Sequence, residues 1–237
     1  MSLTESLHLT QPPIAVCFTD TIPEGVKVFE GTVPAGCRFW QEAAHGVFAT
    51  TSSQHDLCSI GTYTHNLGSA PDLGITLKVF AELGYVREQD IPLIPVLSRP
   101  SKVVVYGPLD AVPLPADVVL LFVKADQTLI LSEASQQLEM GLPPAMGRPA
   151  CAVIPQAFNS GRTALSLGCC GARAYLDVLT PDVALYAIPG SMLQAFTERV
   201  EALAKANSVL TAFHTIRRRD VEKGLHPSVE ESLAALH

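Results

Sequence analysis

Apolar residues fall in short runs broken by proline and glycine, and most runs have the length of a strand. Ile14 to Thr19, after two prolines, and Val26 to Glu30, after Pro23-Glu24-Gly25, predict a strand pair. Gly46 to Ser52, rich in Val, Phe and Thr, predicts a third strand, and His55 to Gly61 leaves it as a loop. Lys102 to Tyr106, Val118 to Val123 and Val183 to Ile188 add further strands; the second of these is unbroken in its apolar character, as in a strand buried on both faces. Between them, helical patterns cover a short stretch from Phe39 to about Gly46, 72–83, and Ala125 to about Glu139. The longest helix starts at Pro189-Gly190-Ser191 and runs to about Asn207; Ser191 and Gln194 match a capping box, and Met192, Phe196, Val200 and Leu203 share one face. Gly141 to Pro149 reads as a linker-like loop, and Pro108 to Pro115 as a proline-rich crossing. Strands mixed with helices of these lengths predict an α/β or α+β fold, a mixed sheet with flanking helices.

Composition narrows the function classes. With 237 residues and 48% hydrophobic content the chain can bury a core without help from a metal or disulfides. A formal charge of -7 argues against a nucleic-acid partner, and the basic run Arg217-Arg218-Arg219 reads as a solvated helix end. No basic-then-apolar leader and no apolar run of about 20 residues is visible, so the expected location is cytoplasmic with no membrane partner. In a reducing compartment the six cysteines are expected as thiols or metal ligands rather than disulfides. Phosphate-binding glycine loops and a Gly-x-Ser-x-Gly nucleophile elbow are both missing from the chain.

Those cysteines carry the most specific pattern. Cys37, followed by Gln41, Gly46 and Ala49, then Cys58 beside Ser59-Ile60-Gly61, is echoed by Cys151, followed by Gln156, Gly161 and Ala164, then Cys169-Cys170-Gly171. The echo predicts one domain of two pseudo-symmetric halves, about 12–100 and 101–210, with a C-terminal helical tail. If the halves pack about a pseudo-twofold axis, a cysteine pair from each can meet at one centre, as soft ligands of an iron–sulfur cluster or zinc. Cys37, at a helix start, is expected to have a lowered pKa. Cys170 is an alternative ligand to Cys169, a resolving thiol or a neighbour. Cys17, inside Ile-Ala-Val-Cys-Phe, reads instead as a buried small hydrophobe. Zinc-finger and ferredoxin spacings are missing, so a 4Fe-4S cluster on dispersed thiolates is the preferred cofactor, with zinc or haem as alternatives.

Glycines at Gly61, Gly168 and Gly171 would let backbone amides approach sulfur, with Tyr175 beside the second loop. Among His45, His55 and His65, the last is the preferred proton-transfer group, with Tyr63 near it; each histidine can equally be a solvated loop residue. Arg173 can grip a substrate carboxylate, or serve in a surface salt bridge.

Ser166-Leu-Gly-Cys-Cys-Gly171-Ala-Arg-Ala-Tyr175, Tyr186-Ala-Ile-Pro-Gly190, Val103 to Leu109, Ala116 to Phe122, Asp126-Gln127 and Cys58-Ser-Ile-Gly61 together resemble the domain of unknown function 169 family, also called ArCR. Where that family shows one cysteine before the Gly171 position, this chain has two. The resemblance implies that the cysteine loops and the Arg173/Tyr175 segment belong to one common design; it implies no activity. Three functions follow from the residues. The first is an iron–sulfur lyase using an open iron for dehydration or heteroatom removal on a small-molecule substrate. The second is an electron-transfer or redox protein with a redox partner, and the third a small-ligand or haem-binding module. A homo-oligomer remains open.

Overall fold

The computed structural model describes residues 2–70, 72–146 and 149–236. The chain runs through α1 (Leu3–Leu7), β1 (Ile14–Thr19), α2 (Arg38–Glu42), β2 (Phe48–Thr50), α3 (Ser59–Thr64), α4 (Leu73–Glu82) and β3 (Val103–Pro108). It continues through β4 (Val118–Val123), α5 (Ala125–Gln137), β5 (Ala145–Met146), α6 (Val153–Ser160), β6 (Ala164–Ser166) and α7 (Cys170–Tyr175), then β7 (Ala184–Pro189), α8 (Leu193–Glu222) and α9 (Val229–Ala234). One mixed sheet, ordered β2-β3-β1-β4-β7-β6-β5, carries helices on both faces, as the α/β pattern predicts. All its pairings are antiparallel except the short parallel contact of β5 with β6.

The order is nearly symmetric about the β1–β4 pair: reading outward the first half places β1, β3 and β2, the second β4, β7 and β6, with the short β5 added at its edge. The repeated motif maps onto equivalent pieces: Gln41 and Gln156 lie in α2 and α6, and Ala49 and Ala164 are buried in β2 and β6. Topologically the boundary falls between β3 and β4, after Pro108 rather than near residue 100, because β3 pairs with β1 and β2. At the seam Ile14, Ala15 and Val16 face Leu120, Val119 and Val118. Beyond Val16 the Asp117 carboxylate takes over the ladder, accepting the Phe18 N–H at 2.7 Å.

Strand alternation sorts the core into layers. Ile14, Val16, Phe18, Val104, Tyr106, Val118, Leu120, Leu185 and Ala187 point to the face covered by α2 and α6. On the opposite face Val119, Leu121, Val123, Tyr186 and Ile188 pack under α1, α5 and α8 through Leu3, Leu7, Leu131, Phe196 and Val200. Cys17 lies on that opposite side with Val103 and Val105, as expected of a buried small hydrophobe; burial pushes its thiol up to about 12.

Several local expectations differ from the structure. Residues 26–30 form no strand; Val28 makes only an isolated parallel bridge to Ala49. The stretch 55–61 is not a loop, since Ser52–His55 is a 3-10 turn and α3 begins at Ser59. Residues 147 and 148 of the expected 141–149 loop lie outside the described residues, and Ala145–Met146 within it pairs with β6. Ser191 does not cap the long helix: a 3-10 turn, Gly190–Met192, intervenes, and α8 starts at Leu193 with Met192 as N-cap. The helix runs on to Glu222, well past Asn207. Among the described residues no helix is long and apolar enough to cross a membrane.

Gly190 closes the second half onto the seam. Its N–H donates to Asp117 O at 2.8 Å, and a Cβ there would overlap the Ala116 carbonyl oxygen. Because the obstacle is backbone, Gly190→Ala is expected to lower stability by about 3 kcal/mol, read as a shifted urea midpoint with an unchanged slope.

Candidate functional site

The helix starts on one face of the sheet bring the cysteines together. Cys37 is the N-cap of α2 and Cys151 sits in the turn Ala150–Ala152 that leads into α6, equivalent places in the two halves. Cys58 and Cys169 are the N-caps of α3 and α7, also equivalent, and each uses its sulfur as the capping acceptor: Gly61 N–H donates to Cys58 Sγ at 3.3 Å, and Ala172 N–H to Cys169 Sγ at 3.4 Å. Sulfur is a weak substitute for the usual hydroxyl or carboxylate cap, which is why the sequence pattern does not announce α3 and α7. All four cysteines line one cavity of about 440 Å³.

Burial first, then the neighbouring sulfurs of Cys58 and Cys169, push the Cys37 thiol up to about 12. This corrects the expectation of a lowered pKa: the amides of Cys37 and Arg38 at the α2 start favour the thiolate, but desolvation outweighs them. Cys151 is raised well above the ordinary thiol range by burial and then by Cys58, although Thr64 Oγ1 donates to its sulfur at 3.3 Å. Beneath the sulfurs lies the fully buried Tyr106, whose hydroxyl has no partner among the described residues; burial, then Cys151, Cys58 and Cys37, holds that phenol well above its usual value. Close approach explains Gly61, where a Cβ would sit 2.9 Å from Cys58 Sγ, and likewise Gly36, where it would sit 2.9 Å from His55 Nδ1 and 3.8 Å from the same sulfur.

The remaining expected residues divide. Gly171 and Tyr175 line the cavity, and so does Cys170, which is exposed and donates its S–H to Tyr85 Oη at 3.1 Å. Orientation thus separates the two adjacent cysteines: Cys169 turns towards the core and its own helix start, Cys170 towards Tyr85. Gly168, at φ +80°, gives the turn that brings Arg173 against the loop, not an approach to sulfur. Arg173 is not a carboxylate-binding group facing the cavity. Its guanidinium donates to four carbonyls, Leu167 at 2.5 Å, Thr180 at 2.6 Å, and Leu179 and Val183 at 3.1 Å, and so pins the 167–183 loop.

His65 and Tyr63 are also not among the cavity-lining residues. His65 is fully buried against Phe18 and His55, with both ring nitrogens unpartnered among the described residues, and burial pulls its pKa down to about 4. A neutral imidazole without an exit to the cavity does not fit the proton-transfer role. Tyr63 is half-buried elsewhere on α3, and His45 is outside the cavity lining. Sequence reasoning counted His55 only as one of three histidines and missed Tyr106 and Tyr85 altogether. His55, pulled down to about 3 by burial and then by His65, shares a 3.1 Å hydrogen bond with Thr50 through Nε2; Tyr106 lies below the sulfurs; Tyr85 meets Cys170. The first two lie in apolar surroundings that only the packed sheet creates.

The wall opposite the thiols comes from α4 and the segment after it, through Thr76, Leu77, Phe80, Tyr85, Val86 and Ile94. The second half has no counterpart, since α7 is followed directly by the loop into β7. Among the described residues no three Cys, His, Asp or Glu side chains gather as ligands of a single metal ion.

With this geometry in view, the comparisons with known proteins define the class. Residues 2–199 match the family described as uncharacterised ArCR, the domain of unknown function 169, and the chain belongs to it. No curated protein and no solved structure gives a match.

Two outcomes follow from these placements. Arg173→Ala is expected to cost about 2 kcal/mol through the unpaired carbonyls, seen as a lower urea midpoint, whereas a substrate-binding arginine would leave stability unchanged. The buried histidines set an acid limit. Their folded pKa values, about 3 and about 4, lie below the unfolded value of about 6.5, so the unfolded chain binds protons first as pH falls. Stability is therefore expected to be full above pH about 6.5 and to decline from there towards pH 4, and His65→Leu should flatten that decline in urea titrations across pH.

Proposed function

We propose that the protein holds a 4Fe-4S cluster on Cys37, Cys58, Cys151 and Cys169 and uses it on a small molecule bound in the adjoining cavity. The observation that carries this reading is the arrival of one cysteine pair from each half at a single cavity, every member at the start of a helix. Soft thiols without an accompanying carboxylate or imidazole in the lining are the donor set that iron–sulfur centres take. Amides already directed at Cys58 and Cys169 would stabilise sulfur charge on ligation.

Burial adds a second argument. A thiol held at about 12 ionises at neutral pH only against a strongly positive centre, so loading must release protons and is expected to weaken as pH falls. Held by all four cysteines the cluster would supply electron transfer; held by three of them, with the fourth standing off, it would leave one iron open as a Lewis acid towards a substrate. The chain itself supplies an apolar lining through Leu57, Ile60 and Phe80, and Tyr85 with Cys170, rather than His65, Tyr63 or Arg173, are placed to move a proton to or from a ligand. A concave, mainly apolar cavity beside the thiols favours dehydration or heteroatom removal on a small molecule over a carrier role.

The test is iron and acid-labile sulfide content of protein purified without oxygen. About four of each per chain are expected in the wild type, both lost in Cys58→Ala and both kept in Cys17→Ala. Free thiols without iron in the wild type overturn the cluster.

A further inference from the structure

We propose that the cavity takes an uncharged, mainly apolar molecule of roughly one aromatic ring or slightly more, and that it rejects carboxylates and phosphates. The inference deepens the reading above, on which it rests in placing the ligand beside the four thiols, but the selectivity comes from the protein wall. At about 440 Å³ the cavity lies in the lower part of the range, roughly 300–1,000 Å³, occupied by small-molecule sites. Among the described residues its lining contains no Asp, Glu, Lys, Arg or His. The polar side chains there are the hydroxyls of Ser59, Thr76, Tyr85 and Tyr175 and the thiols, and burial with the neighbouring Cys170 pushes the Tyr85 phenol up, so it stays neutral at physiological pH.

An anion entering this space would lose its water and meet no positive partner, a cost that burial without pairing always carries. Among the described residues, Arg173 beside the second cysteine loop is committed to four backbone carbonyls and cannot turn inward without releasing them, and Arg38 beside Cys37 is paired with Glu42 and Asp177. A thiolate-bound centre would add negative charge at the inner wall and repel an anion further. On the outer side, Leu77, Phe80, Val86 and Ile94 present an apolar surface contributed by the segment that the second half lacks. The cavity is thus dissymmetric in a molecule whose sheet is not: thiols on one side, apolar cover on the other.

The experiment compares three molecules of one shape at pH 7.5, 4-methylphenol, 4-methylbenzoate and 4-methylbenzylamine, by isothermal titration calorimetry on iron-containing and iron-free protein. Only 4-methylphenol is expected to bind, with the two ions at least tenfold weaker. Thr76→Trp fills the cavity from α4, a helix without a buried residue, so folding is kept, as an unchanged melting temperature would verify. That variant is expected to lose 4-methylphenol binding. Benzoate or benzylamine binding as tightly as the phenol, or Thr76→Trp binding it like wild type, overturns the inference. Phenol binding to protein that never contains iron sustains the inference while removing the cluster, and iron-loaded protein that ignores the phenol does the reverse.

Discussion

The antiparallel pairing of β1 with β4 is the constraint on which the rest of the structure depends. It is brief, three residue pairs long, yet it joins a three-stranded and a four-stranded arrangement into one sheet and sets which face each half presents. Strand side chains alternate, so a slip of one residue here would send one half's inward residues to the opposite face. With the register as observed, α2 and α6 cover the same side of the sheet, and the four cysteines at the helix starts meet there. Asp117 and Gly190 secure the end of the seam, one by extending its hydrogen bonds through a carboxylate, the other by allowing backbone to touch backbone.

From that seam the site acquires its chemical character. Thiols packed over Tyr106 and beside His55 are desolvated, and desolvation rather than the helix termini controls Cys37 and Cys151. The result is a mainly apolar chamber in which burial holds Cys37 and Cys151 well above the ordinary thiol range. The cover formed by α4 and the segment to Ile94 then breaks the symmetry, giving the cavity an inner wall of sulfur and an outer wall of hydrocarbon.

Much of the fold was legible along the chain. The Val118–Val123 run is unbroken because β4 is buried on both faces, and the Met192/Phe196/Val200/Leu203 stripe faces the core as its spacing requires. The paired Cys-Gln-Gly-Ala strings correspond to equivalent helix-to-strand passages, although only Gly161 of the two glycines takes a positive φ. The Gly46–Ser52 expectation contains β2. What escaped was short and unconventionally capped. α3 and α7 begin on cysteine sulfur, and β5 and β6 are two or three residues long, too short for a period to register.

By itself, then, the sequence determined the longer strands, the family and the cysteines worth watching, because hydrophobic period, glycine placement and repeated spacing are local properties. Only the tertiary structure decided the roles of individual side chains. Arg173 turned to carbonyls brought within reach by Gly168; His65 was sealed into the core; Cys169 and Cys170, neighbours in sequence, were directed to different surroundings. The physical reason is common to all three: burial and hydrogen-bond partners arise from segments far apart in the chain, and no local pattern encodes which of them will meet.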